Sequence, residues 1–395
     1  MFNYVQALDR AGVETVLVLI SLRVSKVERR THLPTGAKVV VLPAPRSFRA
    51  LRRSGFARRY SRTAGPRPRR LLGLGLLLKE AAPYLGTPHA LLARELRRER
   101  CAAILCQEYE APRFDACVLV GRLLRIPVFG VFQGGDYQRW EVERLLRPRA
   151  IRASAGLIVP TEAEAARVQA RYGVPPSKLL RVANPLDLDI WRPSDGGRTR
   201  KRLGIPADAQ VAVWHGRVEI EKKGLDVLLA AWERICRDND AARFRLLLVG
   251  SGRDDERLRA QIAAADLHGI VWLDRLVHDP SMLRDLLSAG DVYVFPSRGE
   301  GFPVALQEAI ACGLPVVAAD ASGVEEIVGV DEQAAGTIVP RDEPVALATA
   351  LERLLVDDSL RATFGARARG RAEQSFSMDA VGAELRSFLL EPGSA

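Results

Sequence analysis

Val292-Tyr293-Val294-Phe295-Pro296-Ser297-Arg298-Gly299-Glu300-Gly301-Phe302-Pro303-Val304-Ala305-Leu306-Gln307-Glu308 is the most informative stretch of this 395-residue chain. A short β-branched and aromatic run ends at Phe295, and a glycine-bearing turn follows. Pro303 suits the first turn of a helix, which Ala305 to Cys312 continue until Gly313 closes it. Strand, turn and helix in that order are the repeating unit of a parallel α/β sheet. Gly301 lets a backbone come close to a ligand. The free amides at the helix start make an anion site suited to a diphosphate. Glu300 and Glu308 stand eight residues apart on this unit. The first, in the turn, can reach a sugar; the second, inside the helix, can accept bonds from ribose hydroxyls. The plainer alternative is a capped helix with a solvated glutamate.

The same rhythm continues on both sides. Strands are expected at Val211 to Trp214, Phe244 to Val249, Ile270 to Leu273, Val292 to Phe295, Pro315 to Ala319 and Thr337 to Val339, each followed by a turn signal and an amphipathic stretch. Six such strands predict a doubly wound domain, whose ligands bind at the strand carboxyl ends. At one of those ends lies Trp214-His215-Gly216-Arg217-Val218-Glu219-Ile220-Glu221-Lys222-Lys223-Gly224-Leu225-Asp226. The planar fork of Arg217 can grip phosphate oxygens, and Lys223, held by Gly224, can act as a point charge on the same group. Together they would neutralise a leaving nucleoside diphosphate, so that cleavage needs neither a metal nor a strong acid. A solvated basic loop is the alternative.

The first half repeats the pattern more loosely. Strands are expected near Val16 to Ile20, Val39 to Leu42, Ala103 to Leu105, Val128 to Phe132 and Gly156 to Val159, with helices at about Arg113 to Leu124, Trp140 to Ala153 and Thr161 to Tyr172. The densest turn chemistry in mid-chain, from Asn184-Pro185-Leu186-Asp187 to Pro193-Ser194-Asp195-Gly196-Gly197, marks the expected interdomain linker. Phe2 to Leu8 reads as the helix that should follow a first strand, so the first N-terminal strand is expected to be missing, through a misassigned start or a fragment. A crevice between two such sheets is the expected site.

Composition bounds these readings. The chain is 48% hydrophobic and 27% charged, as a globular two-domain protein should be. No apolar stretch reaches the roughly 20 residues of a membrane span, and no signal segment follows Met1, so a cytoplasmic protein is expected. The five cysteines form no CxxC pair and read as buried reduced thiols. The histidines show no HxxxH or HExxH spacing, so no metal and no cofactor are expected. The formal charge of +10 is uneven: Val41 to Leu78 carries no acidic residue, while ten arginines fall between 46 and 70. Such a segment suits an anionic partner. No nucleic-acid signature accompanies it, so an anionic membrane surface or a lipid-linked acceptor is the expected partner, with a solvated basic loop as the alternative.

Residues Val211 to about Arg371 resemble the donor domain of the retaining glycosyltransferases of family 4, whose two-domain arrangement is called GT-B. The resemblance rests on Gly216-Arg217 with Lys223-Gly224, on Val249-Gly250-Ser251-Gly252, on Glu300 with Glu308, and on Gly323 through Val328. It implies an α/β fold of two Rossmann-like doubly wound domains facing a central cleft: residues 1–190 on the acceptor side, 191–371 binding the donor, and 372–395 as a C-terminal helix returning to the first domain. Arg217 and Lys223 would then bind the donor diphosphate, Glu300 would lie at the transferred sugar and Glu308 would hold the ribose. Gly216, Gly250, Gly301, Phe302, Pro303 and Val304 would shape the donor site, and the loop Leu276-Val277-His278 would flank the nucleobase. Phe132-Gln133-Gly134-Gly135-Asp136 is similar to a family turn that often carries a histidine, with Gln133 in its place. Gln133, Asp136 and Glu108 are the sugar and acceptor candidates, although a capped loop explains Glu108 equally well.

The implied activity is transfer of a sugar from a nucleoside-diphosphate donor to a glycan or lipid-linked acceptor with retention of configuration. Cell-surface polysaccharide or glycolipid synthesis is the implied setting, with the protein peripheral on the inner membrane face. An epimerase or phosphorylase of the same fold would need other catalytic groups. A catalytically impaired sugar-nucleotide-binding or scaffold protein is the alternative, given Gln133 and the missing strand.

Overall fold

The computed structural model describes residues 2–33, 35–53, 84–134, 141–238, 243–265 and 267–390. The chain divides into two compact units, Met1–Val182 with Gly382–Ala395, and Ala183–Val381.

The first unit opens with the helix Phe2–Arg10. β1 (Val16–Ser21), β2 (Glu28–Thr31) and β3 (Lys38–Pro43) form a sheet of order β1-β3-β2, with β1 parallel and β2 antiparallel to β3. β4 (Ile104–Gln107), β5 (Val128–Val131), β6 (Gly156–Val159) and β7 (Leu179–Arg181) form a second, wholly parallel sheet in that order. Helices Pro112–Leu124, Glu141–Ala153 and Glu162–Tyr172 connect its strands. The last of these is capped by the Thr161 hydroxyl on the Glu164 amide and closed by Gly173 in the left-handed region. β2 and β7 carry no strand signal in sequence. β2 is Glu-Arg-Arg-Thr and exists because its backbone pairs with β3, Glu28 opposite Val41.

Among the described residues β1 and β4 are sheet edges. All six positions of β1 are partly exposed despite the sequence Val-Leu-Val-Leu-Ile-Ser, whereas β5 and β6 are buried throughout. Val16, Val18 and Ile20 nevertheless pack on the core that contains Ile104, Phe114 and Leu157, so the two sheets share one apolar interior.

In the second unit β8 (Gln210–His215), β9 (Phe244–Val249), β10 (Ile270–Leu273), β11 (Val292–Phe295), β12 (Val316–Ala319) and β13 (Gly336–Val339) form one parallel sheet of order β10-β9-β8-β11-β12-β13. β11 and β12 are continuous apolar runs because both faces are covered. Leu306, Ala309 and Ile310 of the helix Val304–Ala311 pack on one face, and Leu228, Trp232 and Leu351 on the other. The strand order reverses between β8 and β11, which places the binding crevice at their carboxyl ends.

The unit boundary falls at Val182, ahead of the turn-rich stretch 184–197. That stretch is packed rather than free: Leu186 bridges to Ser377, and Leu186 and Trp191 are buried in the second unit's core. The helix Met378–Leu390 passes from the second unit into the first, where Arg386 donates to the Ala11 carbonyl at 2.9 Å and Phe388 lies 5.3 Å from the Phe129 ring. The five cysteines are free thiols. Among the described residues no helix is long and apolar enough to cross a membrane.

Candidate active site

Three neighbouring strands, β9, β8 and β11, carry the candidate residues at their carboxyl ends. β8 runs into Gly216 and Arg217, β9 into Gly250, and β11 into the loop that holds Glu300. These loops meet backbone to backbone. A Cβ on Gly250, at φ +146°, would stand 1.8 Å from the Gly216 carbonyl oxygen, and one on Gly224, at φ +63°, would stand 1.9 Å from that of Pro296. Only glycine satisfies both the space and the backbone angle at either place. Gly224 also ends the short helix Ile220–Lys223, so Lys223 is delivered directly against the loop after β11.

There Lys223 Nζ donates to Glu300 Oε1 at 2.5 Å, and the buried Ser297 hydroxyl donates to the same oxygen at 2.7 Å. Only 16% of the lysine side chain and 12% of the glutamate side chain remain exposed, so each charge offsets the desolvation of the other. A cation and a carboxylate from two different loops are thereby held together at the sheet's switch point.

Glu308 lies on the helix Val304–Ala311, whose preceding residue, Pro303, supplies no side-chain cap. Its Oε2 is 3.0 Å from Nε2 of His215, the last residue of β8; with Nε2 protonated, the imidazole donates to the carboxylate. The His215 ring lies 5.5 Å from that of Tyr293. Burial, reinforced by the Glu308 charge, pushes the Tyr293 phenol well above its ordinary range, so this neighbour is neutral. Among the described residues Nδ1 of His215 is buried without a hydrogen-bond partner. Arg217 is different. Its side chain is 64% exposed, with Nη1 3.4 Å from Glu219 Oε1.

A family model described as Glycosyltransferase Family 4 matches residues 55–190, and one described as Glycosyl transferases group 1 matches residues 209–357. The chain thus carries a glycosyltransferase family 4 domain followed by a glycosyl transferases group 1 domain. Similar proteins include the D-inositol 3-phosphate glycosyltransferase of Kineococcus radiotolerans, 34% identical over 57% of this chain and 54% of its own. That of Xylanimonas cellulosilytica is 36% identical over 60% of this chain and 57% of its own. The matched stretch therefore spans little more than half the length of these curated relatives. Sucrose-phosphate synthase from Thermosynechococcus elongatus aligns at a TM-score of 0.69 with 21% identity, covering 98% of this chain and 91% of that one. Anabaena HepE, solved with UDP and glucose, aligns at 0.69 with 18% identity, covering 98% and 94%. At such identities the likeness establishes the fold, which is GT-B.

Elsewhere in the chain the candidates are less tightly grouped. Val277 is half-buried on the core, between the exposed Leu276 and His278. Gln133 is exposed just past the end of β5, and its backbone N–H donates to Glu108 Oε2 at 3.2 Å. Glu108 also accepts from the Glu110 amide at 3.0 Å and sits at φ +61°, so it braces the turns after β4 and β5. Asp136 lies outside the described residues.

The residue that sequence reasoning passed over is Arg298. It donates to both carboxylate oxygens of Asp226, at 2.8 and 2.7 Å, and to the Glu221 carbonyl at 2.8 Å, and it pairs with Asp342. Its own amide bonds the Lys222 carbonyl at 3.0 Å. One side chain thus ties the Glu300 loop to the Lys223 turn and to the turn after β13. An arginine beside Glu300 reads in sequence as one more cation; only the fold shows two aspartates converging on it.

Proposed function

We propose that this family 4 glycosyltransferase moves a sugar from a nucleoside-diphosphate donor to a glycan or lipid-linked acceptor with retention of configuration and without a metal. The observation that carries the reading is the Lys223–Glu300 pair at the carboxyl ends of β8 and β11, beside an uncapped helix start. In this reading the diphosphate sits at the start of the helix Val304–Ala311, with Lys223 and the exposed Arg217 on its oxygens. Glu308, fixed by His215, accepts from the ribose. The acceptor oxygen bonds the anomeric carbon as the bond to the diphosphate oxygen breaks, and that oxygen takes the acceptor proton. Glu300 lies where positive charge grows on the sugar and favours the transition state over the ground state. Lys223 and Arg217 neutralise the departing group.

UDP-sugars are the first donors to try, because HepE was solved with UDP and glucose. The arginine-rich segment, together with the absence of acids from Val41 to Leu78, supports an acceptor held at an anionic membrane on the cytoplasmic side; residues 54–83 of it lie outside the described residues. Polysaccharide or glycolipid synthesis is the corresponding role.

Steady-state kinetics with a panel of nucleotide sugars tests the reading. Glu300→Gln is expected to lower kcat by about tenfold or more, and Glu308→Gln mainly to raise the donor KM, since an amide accepts ribose hydroxyls less strongly than a carboxylate. Two fully active variants would remove the assignment.

A further inference from the structure

The two glutamates of the candidate site are held in different ways. Glu300 is paired with a cation, whereas Glu308 makes one side-chain bond among the described residues, from His215 at 3.0 Å. His215 ends β8 and lies on the same sheet face as Val213, which stands opposite Tyr293 of β11. The helix Val304–Ala311 packs on that face, where Val213, Tyr293, Leu306 and Ile310 share one core. His215 is therefore enclosed, with 7% of its side chain exposed, and is the one buried histidine among five. An ionised carboxylate only accepts, so the bonding proton lies on Nε2. Nδ1 has no partner among the described residues, which leaves the Glu308 bond as the ring's single hydrogen bond there.

A free glutamate side chain samples several rotamers and can turn toward whichever hydroxyl is offered. With Oε2 pinned by His215, Glu308 presents Oε1 in one place, and its partly exposed carboxylate is preorganised for a hydroxyl at that place alone. We propose that, given the donor reading above in which Glu308 faces the ribose, His215 is a positioning residue that makes Glu308 discriminate ribose from deoxyribose in the donor nucleotide. His215 acts through the carboxylate and not on the nucleotide itself. Without the imidazole the carboxylate still accepts hydrogen bonds, but a ligand must then fix its rotamer on binding, and the advantage of a correctly placed hydroxyl shrinks.

Calorimetry of the full chain with UDP, ADP and GDP identifies the nucleotide bound best, and its two monodeoxyribose analogues then measure the discrimination. The unaltered chain is expected to prefer the ribonucleotide about tenfold or more over the analogue that lacks the bonded hydroxyl. In His215→Leu that preference is expected to fall to about threefold or less, with affinity for the analogue unchanged. His215→Gln, whose amide N–H reaches about as far as Nε2, is expected to restore most of it, which a loss of packing alone would not do. Heteronuclear NMR of the unaltered chain adds a check that needs no variant: the buried imidazole is expected to carry its proton on Nε2, and the ribonucleotide to shift that resonance more than the analogue does. A neutral ring protonated on Nδ1, full discrimination in a folded His215→Leu, or no recovery in a folded His215→Gln would each overturn the proposal. Absence of binding by all three nucleoside diphosphates would overturn the donor reading and this proposal with it, whereas binding with a preference indifferent to residue 215 would overturn this proposal alone.

Discussion

The two units solve the same architectural problem with different materials. The second builds six parallel strands into one sheet, covers both faces with apolar helices, and brings Lys223 against Glu300 at the carboxyl edge. The first distributes its strands over sheets of three and four and draws charge into its interior. There Glu110 and Arg147 are fully buried, Arg147 Nε donates to Asp115 at 2.7 Å, and Arg167 donates to Glu110 at 2.9 Å and to Glu164 at 2.7 Å. Tyr172 and Tyr84 donate to Glu110 and Asp115, at 2.7 and 2.8 Å, and Tyr109 donates to Glu164. Burial, with the neighbouring carboxylates, pushes these three phenols well above their ordinary range, so they serve as neutral donors. The interior charge of the first unit therefore maintains the fold, whereas the Lys223–Glu300 pair of the second stands at the strand ends where the proposed donor would bind.

The sharpest break of that contrast is Arg147→Ala. Removing one member of a buried ionic cluster leaves the others uncompensated and costs about 3–5 kcal/mol. Hydrogen exchange is expected to show the loss in β4, β5 and β6, with the amides of β8, β9 and β11 holding their protection. A uniform loss of less than about 1 kcal/mol would mean that the network is dispensable.

The contrast also explains what was legible in the sequence. Val292–Phe295 and, but for Arg245, Phe244–Val249 are readable to the residue because strands buried on both faces are apolar runs, and the half-exposed edge strand Ile270–Leu273 is readable because it is apolar throughout. β2 escapes because its strand character comes from β3's backbone and not from its own charged side chains. The turns that carry Lys223 and Glu300 are readable, but their pairing is not, any more than the His215 bond to Glu308 or the Arg298 brace, because each joins residues more than seventy positions apart whose meeting depends on which strands are neighbours. The interior cluster is hidden for the same reason. Glu110, Asp115, Arg147 and Glu164 carry the residue types of a solvated surface, and only the fold reveals them as mutual partners.

A smaller effect, and the converse one, is expected of Lys223→Ala. It should weaken UDP binding about tenfold to a hundredfold, the value of roughly 1.5–3 kcal/mol for one charge-assisted bond, with protection in β8 and β11 intact. Calorimetry measures the affinity and hydrogen exchange the fold. Unfolding of the sheet in this variant would place Lys223 with the structural charges of the first unit and erase the distinction.

The smallest effect belongs to the Arg298 brace, which lies between the two kinds of charge because it is structural yet sits at the site. Partial burial works to raise the Asp226 carboxyl, but the bonds and charge of Arg298, with the backbone amides of Asp226 and Val227, outweigh it and hold the group below its ordinary 3.8. A carboxylate whose pKa is lower in the folded chain than in the unfolded one contributes stability above the ordinary value, and that contribution is lost as pH falls through the depressed value. Both partners remain partly open to solvent, 28% for Arg298 and 37% for Asp226, so screening limits the pair to about 1 kcal/mol or less. After correction for intrinsic exchange rates, the amides of residues 297–301 are expected to hold constant protection from neutral pH to about pH 5. Below about pH 4 protection should fall by no more than about fivefold, as Asp226 takes up a proton and releases the guanidinium. Asp226→Asn should start at the lowered level and show a weaker pH step. Wild-type protection that stays flat to about pH 3 would show that Asp342 and the Glu221 carbonyl alone secure Arg298, and the position of the Glu300 loop would then not depend on Asp226.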